Sequence, residues 1–187
     1  MPPILSSIGL NGTGYCAAFR FRMAARAVTR LYDAALQESR VRSTQFAILV
    51  AVAKKQPVAI HALSEVLFID QTTLTRSLQL MRKEGFVAIS KRSTMRQRFV
   101  TLTSEGEKAL ARSLPAWRGI QKRFVDSVGT RSWTELREEL ERLSNLAMGL
   151  EEQALQKVGR ASKRSGRIKE RERARPRPNG ASGAEEN

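Results

Sequence analysis

The sequence predicts a mainly α-helical protein with one small β-hairpin set in its middle. Three observations carry this. Apolar residues recur at three- and four-residue spacing along most of the chain, the period of a helix buried on one side. The period changes to that of extended chain only once, across residues 86–103. Aromatic residues make up only 6% of the chain, which favours an aliphatic, helix-rich core over a β-sandwich.

Residues 1–14 hold Pro, Ser, Gly and Asn without periodicity and read as a flexible arm. From Tyr15 to Gln37 there is no Gly or Pro, and Phe21, Ala24, Ala25, Val28, Tyr32 and Ala35 recur at helical spacing. A second helix is expected over about 43–54, capped by Ser43 and separated by Pro57 from the next element. Residues 59–68 read as a short helix with Ile60, Leu63 and Leu67 inward, closed by a tight Ile69-Asp70 connection. Asp70 is then a good N-cap for a helix through Glu84, and Gly85 a good residue just past its end.

FVAIS (86–90) and RFVTLT (98–103) are rich in β-formers and flank the polar, basic stretch KRSTMRQ, which makes a two-stranded hairpin. Thr103 opens T-S-E-G-E, a cap followed by acidic residues in the first helical turn. The helix it starts is expected to reach about Val128, kinked or interrupted at Pro115. Ser132 is expected to cap a last helix ending near Gln156. Along it Trp133, Leu136, Leu140, Leu143, Ala147 and Leu150 step by alternating threes and fours. Spacing alone allows this seam to serve a partner helix or an intrachain bundle. Residues 157–187 are Arg, Lys, Ser, Gly and Pro with almost no apolar side chain, and read as a disordered basic tail.

Charge narrows the function. The chain carries 33 Lys and Arg against 18 Asp and Glu, a net +15 in 187 residues. Residues 156–187 contribute net +6, so the remainder is basic in its own right. Such an excess points to polyanionic partners, nucleic acid above all. A single cysteine excludes an intrachain disulfide framework and fits a reducing compartment. No apolar run approaches the length of a membrane span, and the N-terminus lacks the pattern of a signal peptide, so a cytoplasmic, nucleoid-associated protein without membrane contact is expected.

Helix, short turn, helix, then a basic hairpin is the order of a winged helix-turn-helix domain. On the 70–84 helix, Leu74, Leu78 and Met81 share one face and can pack inward. Thr72, Arg76, Gln79 and Lys83 lie opposite, with Gln71, Thr73 and Thr75 near the start. A helix fits the major groove of DNA, where Arg pairs with guanine, Gln with adenine, and Thr offers a hydroxyl or a methyl. Lys91, Arg92, Arg96 and Arg98 on the hairpin suit phosphate or minor-groove contact.

Four segments resemble the MarR family of bacterial winged-helix regulators: AARAVTRLYDAAL (24–36), STQFAILVAVA (43–53), ALSEVLFIDQTTLTRSLQLMRKEGFV (62–87) and RQRFVTLTSEG (96–106). The resemblance implies a homodimer that occupies a palindromic site on double-stranded DNA and represses until a small, often aromatic, effector or oxidation releases it. Residues 15–40 and 104–156 would form the helical dimerisation region, with the 133–150 seam in the interface. Residues 43–103 would form the DNA-binding domain. Thr72, Thr73, Thr75 and Arg76 become groove contacts and Arg96 the wing arginine. Thr94 stands where family wings usually carry an Asp that orients that arginine.

The resemblance also implies an effector pocket between the dimerisation helices and the DNA-binding lobe, to which Arg26, Tyr32 and Trp117 are candidates. Cys16 lies close to Arg20 and Arg22, which favours a reactive thiol. In relatives that sense hydroperoxides, however, the reactive first-helix position aligns with Ala18, and a tyrosine stands at the position of Ser43. A redox-responsive regulator and a non-specific nucleic-acid binder working through its tail are the alternatives. One histidine and one cysteine cannot make a zinc or iron site, NGTG (11–14) is not a phosphate loop, and His61 near Glu65 reads as a surface residue. No cofactor and no enzymatic activity are expected.

Overall fold

The computed structural model describes residues 16–91 and 97–173, with side chains as far as Lys157. The expected N-terminal arm, Arg92, Thr94, Arg96 and residues 174–187 lie outside the described residues. The chain divides into two units, the first through Ser127 and the second from Val128.

The first unit opens with α1 (Ala17–Leu36), a one-turn 3₁₀ segment (Gln37–Ser39) and α2 (Ser43–Lys54). Ser43 is the first residue of α2 rather than its cap, because the start of the helix is held from outside. Asp33 of α1 accepts the Ser43 N–H at 2.7 Å, and the Gln45 side chain turns back to accept the Arg42 N–H at 2.9 Å. Two of the N–H groups that a helix start leaves over are thereby satisfied.

A strand not anticipated from the sequence comes next, β1 (Val58–Ala59), then α3 (Ile60–Leu67) and α4 (Gln71–Lys83). The hairpin is β2 (Val87–Lys91) and β3 (Arg98–Leu102). β3 is central: Val58 and Ala59 of β1 pair with Val100 and Phe99, and β2 pairs along its whole length from Val87–Leu102 to Lys91–Arg98. The short helix therefore begins at Ile60, because Ala59 belongs to the sheet.

α4 is closed as its sequence demands. Asp70 Oδ1 accepts the Thr73 N–H at 2.9 Å. At the other end Gly85 has φ 80°, the Gly85 N–H reaches the Arg82 carbonyl and the Phe86 N–H reaches that of Met81. This pair of bonds needs a left-handed residue, which glycine supplies without strain. Leu74, Leu78 and Met81 are fully buried, in one cluster with Leu36, Ile48, Leu49, Val52, Leu63, Val87 and Val100.

α5 (Ser104–Val128) completes the unit. Thr103 fastens it to the hairpin base: its hydroxyl donates to the Gly85 carbonyl and accepts the Gly106 N–H, while its own N–H reaches the Phe86 carbonyl. Pro115 does not interrupt α5; it only removes one N–H from the ladder. Tyr32 Oη donates to Gln121 Oε1 at 2.6 Å, tying α1 to α5.

Among the described residues the second unit carries α6 (Thr130–Arg173), of 44 residues. It starts before Ser132, after Gly129 at φ 90°, and the Trp133 N–H closes its first turn on the Gly129 carbonyl. It also runs past the end expected near Gln156, since no proline stops it before Pro176 and Glu, Arg, Lys and Ala favour helix. Among the described residues no helix is long and apolar enough to cross a membrane.

Candidate nucleic-acid interface

The α3–turn–α4 unit presents its second helix by a clear division of faces. The buried leucine and methionine positions fix α4 in rotation, so Gln71, Thr72, Thr73, Arg76 and Lys83 stand exposed, with Thr75 and Gln79 half-buried beside them. Thr75 Oγ1 donates to the Gln71 carbonyl at 2.6 Å, so this residue offers a partner its methyl group and an oxygen lone pair. Leu80, about half exposed, also stands on the surface of α4, a position the sequence pattern does not single out.

The turn between the helices is tightened by Phe68, which takes a left-handed conformation at φ 52° without being glycine. The Asp70 carboxyl is held below its ordinary range, first by the hydrogen bond from the Thr73 hydroxyl, then by the Thr73 backbone N–H, with a further contribution from the Arg76 charge. Its charge complements the positive end of the helix dipole. Arg82 and Lys83 sit in the last turn, where cations are favoured.

Of the four wing cations, Lys91 and Arg98 are directly paired across the hairpin and both exposed. Beside the turn end of the hairpin strands lies a polar concavity of about 280 Å³, lined by Ile60 and His61 of α3, Gln71 and Thr75 of α4, and Gln97 and Arg98 at the start of β3. Sequence reasoning assigns His61 and Gln97 to no site. Their signal is tertiary, since three segments well apart in sequence build this concavity.

A second, larger cavity of about 730 Å³ lies behind the helix pair. Tyr32 and Trp117 line it, together with Phe46, Val50, Ala51, Leu63, Leu67 and other mostly apolar groups, and with Lys54 and Lys55. Phe46 and Trp117 stack at 5.6 Å between ring centroids. Tyr32 meets Phe124 edge-on, and burial pushes its phenol above the usual value. Arg26 does not line this cavity. Six residues of helix put it about 120° around α1 from Tyr32, where it shares a surface hollow with Cys16, Phe19, Arg22 and Arg30.

Cys16 is an exposed thiol at the start of α1. Among the described residues no three His, Cys, Asp or Glu side chains gather as metal ligands. On α6, Trp133 and Leu143 are half-buried, and Leu136, Leu140, Ala147 and Leu150 are exposed. α1 likewise exposes Phe19, Phe21 and Met23.

No protein-family model matches the chain. An HTH-type transcriptional regulator of Bacillus cereus is 30% identical over 86 residues, 46% of this chain, and the match spans 57% of that relative's length. Among solved structures, the transcriptional regulator MosR of M. tuberculosis in complex with DNA superposes with a TM-score of 0.67 at 33% identity, covering 72% of this chain and 97% of MosR. A MarR-family regulator from Rhodococcus sp. RHA1 gives a TM-score of 0.59 at 14% identity, over 70% of this chain and 93% of that one, and shows the shared fold. With the capped recognition-type helix, the hairpin beside it and identity along nearly all of MosR, the chain belongs to the MarR family of winged-helix transcriptional regulators.

Proposed function

We propose that this protein is a homodimeric, sequence-specific DNA-binding repressor that occupies a palindromic operator and is released when a small apolar or aromatic effector enters the cavity behind the helix pair. The observation that carries this reading is α4. Its three buried residues fix its rotation, Asp70 caps it, and Thr72, Thr73, Arg76 and Gln79 are left on the side a major groove would receive. Arg98 and Lys91 supply phosphate contacts at the turn end of the hairpin strands, with Arg92 and Arg96 between them in the sequence. MosR, whose structure holds DNA, supports the assignment. The 730 Å³ cavity supports effector control, because its wall includes α3, which packs against the helix that would read bases.

The test is selection of bound duplexes from a random pool by the full-length protein. A palindromic motif with half-sites about one helical turn apart is expected. Enrichment of no motif, with affinity set only by salt, would overturn sequence-specific repression and favour a non-specific basic binder.

A further inference from the structure

We propose that the concavity between α3, α4 and β3 is a phosphodiester site, with His61 and Arg98 as its principal donors, that grips one backbone phosphate at the edge of each half-site. The proposal rests on the duplex-binding reading above. It adds a residue, His61, that neither the groove-facing surface of α4 nor the wing accounts for.

The chemistry of the lining selects the ligand. His61, Gln71, Gln97 and Arg98 all bring N–H donors, and all four are exposed at a hollow of about 280 Å³. Among the described residues no carboxylate lines it, and the guanidinium of Arg98 is the one permanent charge there. A cation is therefore disfavoured, and an anion with several acceptor oxygens is matched. The hydroxyl proton of Thr75 is already given to the Gln71 carbonyl, so threonine is not a donor here. An imidazole presents an N–H in either charge state, so His61 can donate without being ionised.

Geometry favours backbone over base. The hollow is concave and spans three elements, set beside the convex, exposed face of α4 that would enter a groove. A base edge is met by a projecting side chain, whereas the phosphates bordering the groove reach surfaces on either flank of the helix. Ile60 and Leu63 fix α3 in the core, which places the backbone of His61, and the Lys91–Arg98 pairing places that of Arg98. Two donors from separate elements are thus carried on fixed backbone before the duplex arrives.

The experiment compares wild type, His61→Ala, His61→Lys and Arg98→Gln on the selected duplex and on a random duplex of equal length, with phosphate-ethylation interference on the former. His61→Ala is expected to weaken both duplexes by the same factor, about tenfold, and to leave the selected motif unchanged. Ethylation of one phosphate per half-site should block wild type and become indifferent in His61→Ala. His61→Lys should restore most of the affinity, which a merely structural role would not allow. Arg98→Gln should also lower the salt dependence, by about one ion per half-site. Wild-type affinity in His61→Ala, an unchanged ethylation pattern, or a loss confined to one base pair would overturn the site while leaving the repressor reading standing. If wild type binds neither duplex, both readings fall together.

Discussion

The side-chain amide of Gln45 donates to a carboxylate oxygen of Glu84 at 2.7 Å, joining the first turn of α2 to the residue that ends the helix that would read DNA as its C-cap. Gln45 is buried and its other end accepts the Arg42 N–H, so one side chain holds two helix ends. Gln45→Leu removes both bonds and should destabilise the fold by about 1–2 kcal/mol, read from urea unfolding. Gln45→Glu keeps the Arg42 bond but sets two carboxylates together, and Glu84→Gln should restore the loss in a double-mutant cycle. Additive losses in that cycle would show that the contact carries no coupling.

Asp70 gives a pH signature. Its folded carboxyl is held below the ordinary value by the Thr73 hydroxyl and N–H. The charged form is therefore favoured by folding. The stability it brings is fully present above the unfolded carboxylate value, about 3.9, and is lost as pH falls through the lower folded value. Asp70→Ala should lower the urea midpoint at neutral pH, and its difference from wild type should shrink in that acid window. Asp70→Asn, which caps without a charge, should lose little at neutral pH and show no such window.

Gly106 has no room for a side chain. A Cβ there would overlap the backbone carbonyl of Phe86, which already accepts the Thr103 N–H and cannot move without disturbing the hairpin base. Gly106→Ala should destabilise by about 3 kcal/mol, despite alanine's better helix propensity. Gly119→Ala, in open space on the same helix, is the control and should be neutral or stabilising.

The cavity makes a ligand prediction. Its apolar wall with Lys54 and Lys55 suits a hydrophobic probe bearing an anion, such as anilinonaphthalene sulfonate. Ala47 lines the cavity and is exposed, so Ala47→Phe can fill the space without repacking the core. It should weaken dye binding by about tenfold, the scale of one lost apolar contact surface, and leave DNA affinity unchanged. Equal dye binding in both proteins would place the dye elsewhere.

The range of the interactions decides which elements are legible in the sequence. α4 is legible because its period, its Asp70 cap and its Gly85 stop are all local, and each appears in the structure at the expected residue. The hairpin is legible for the same reason. β1 is not, because two residues carry no period and Val58 and Ala59 become a strand only by pairing with β3. The start of α2 differs by one residue from the expected cap because Asp33, ten positions earlier, supplies the bond. An expected pocket groups Arg26 with Tyr32, whereas the turn of α1 separates them. His61 and Gln97 acquire a common role only once α3, α4 and β3 are assembled.

The seam on α6 bears on whether a half-site or a whole palindrome is recognised. Leu136 and Leu140 are about 40% exposed and Leu150 more than half, at steps that keep them on one side of the helix. Isolated exposed leucines need no explanation, but a sustained row on a 44-residue helix is the pattern of a surface awaiting another helix. α1 leaves Phe19, Phe21 and Met23 in the same condition. In the proposed dimer these faces are covered by a second copy of the chain. Leu136→Glu combined with Leu143→Glu should then give a monomer by sedimentation at micromolar concentration, with α4 and the hairpin intact by circular dichroism. Affinity for the palindrome should fall by about a hundredfold or more, because the second half-site no longer binds at high effective concentration. Affinity for a single half-site should be unchanged. A variant that still sediments as a dimer would remove this seam from the interface, and one that is monomeric yet binds the palindrome normally would show that each chain recognises its site alone.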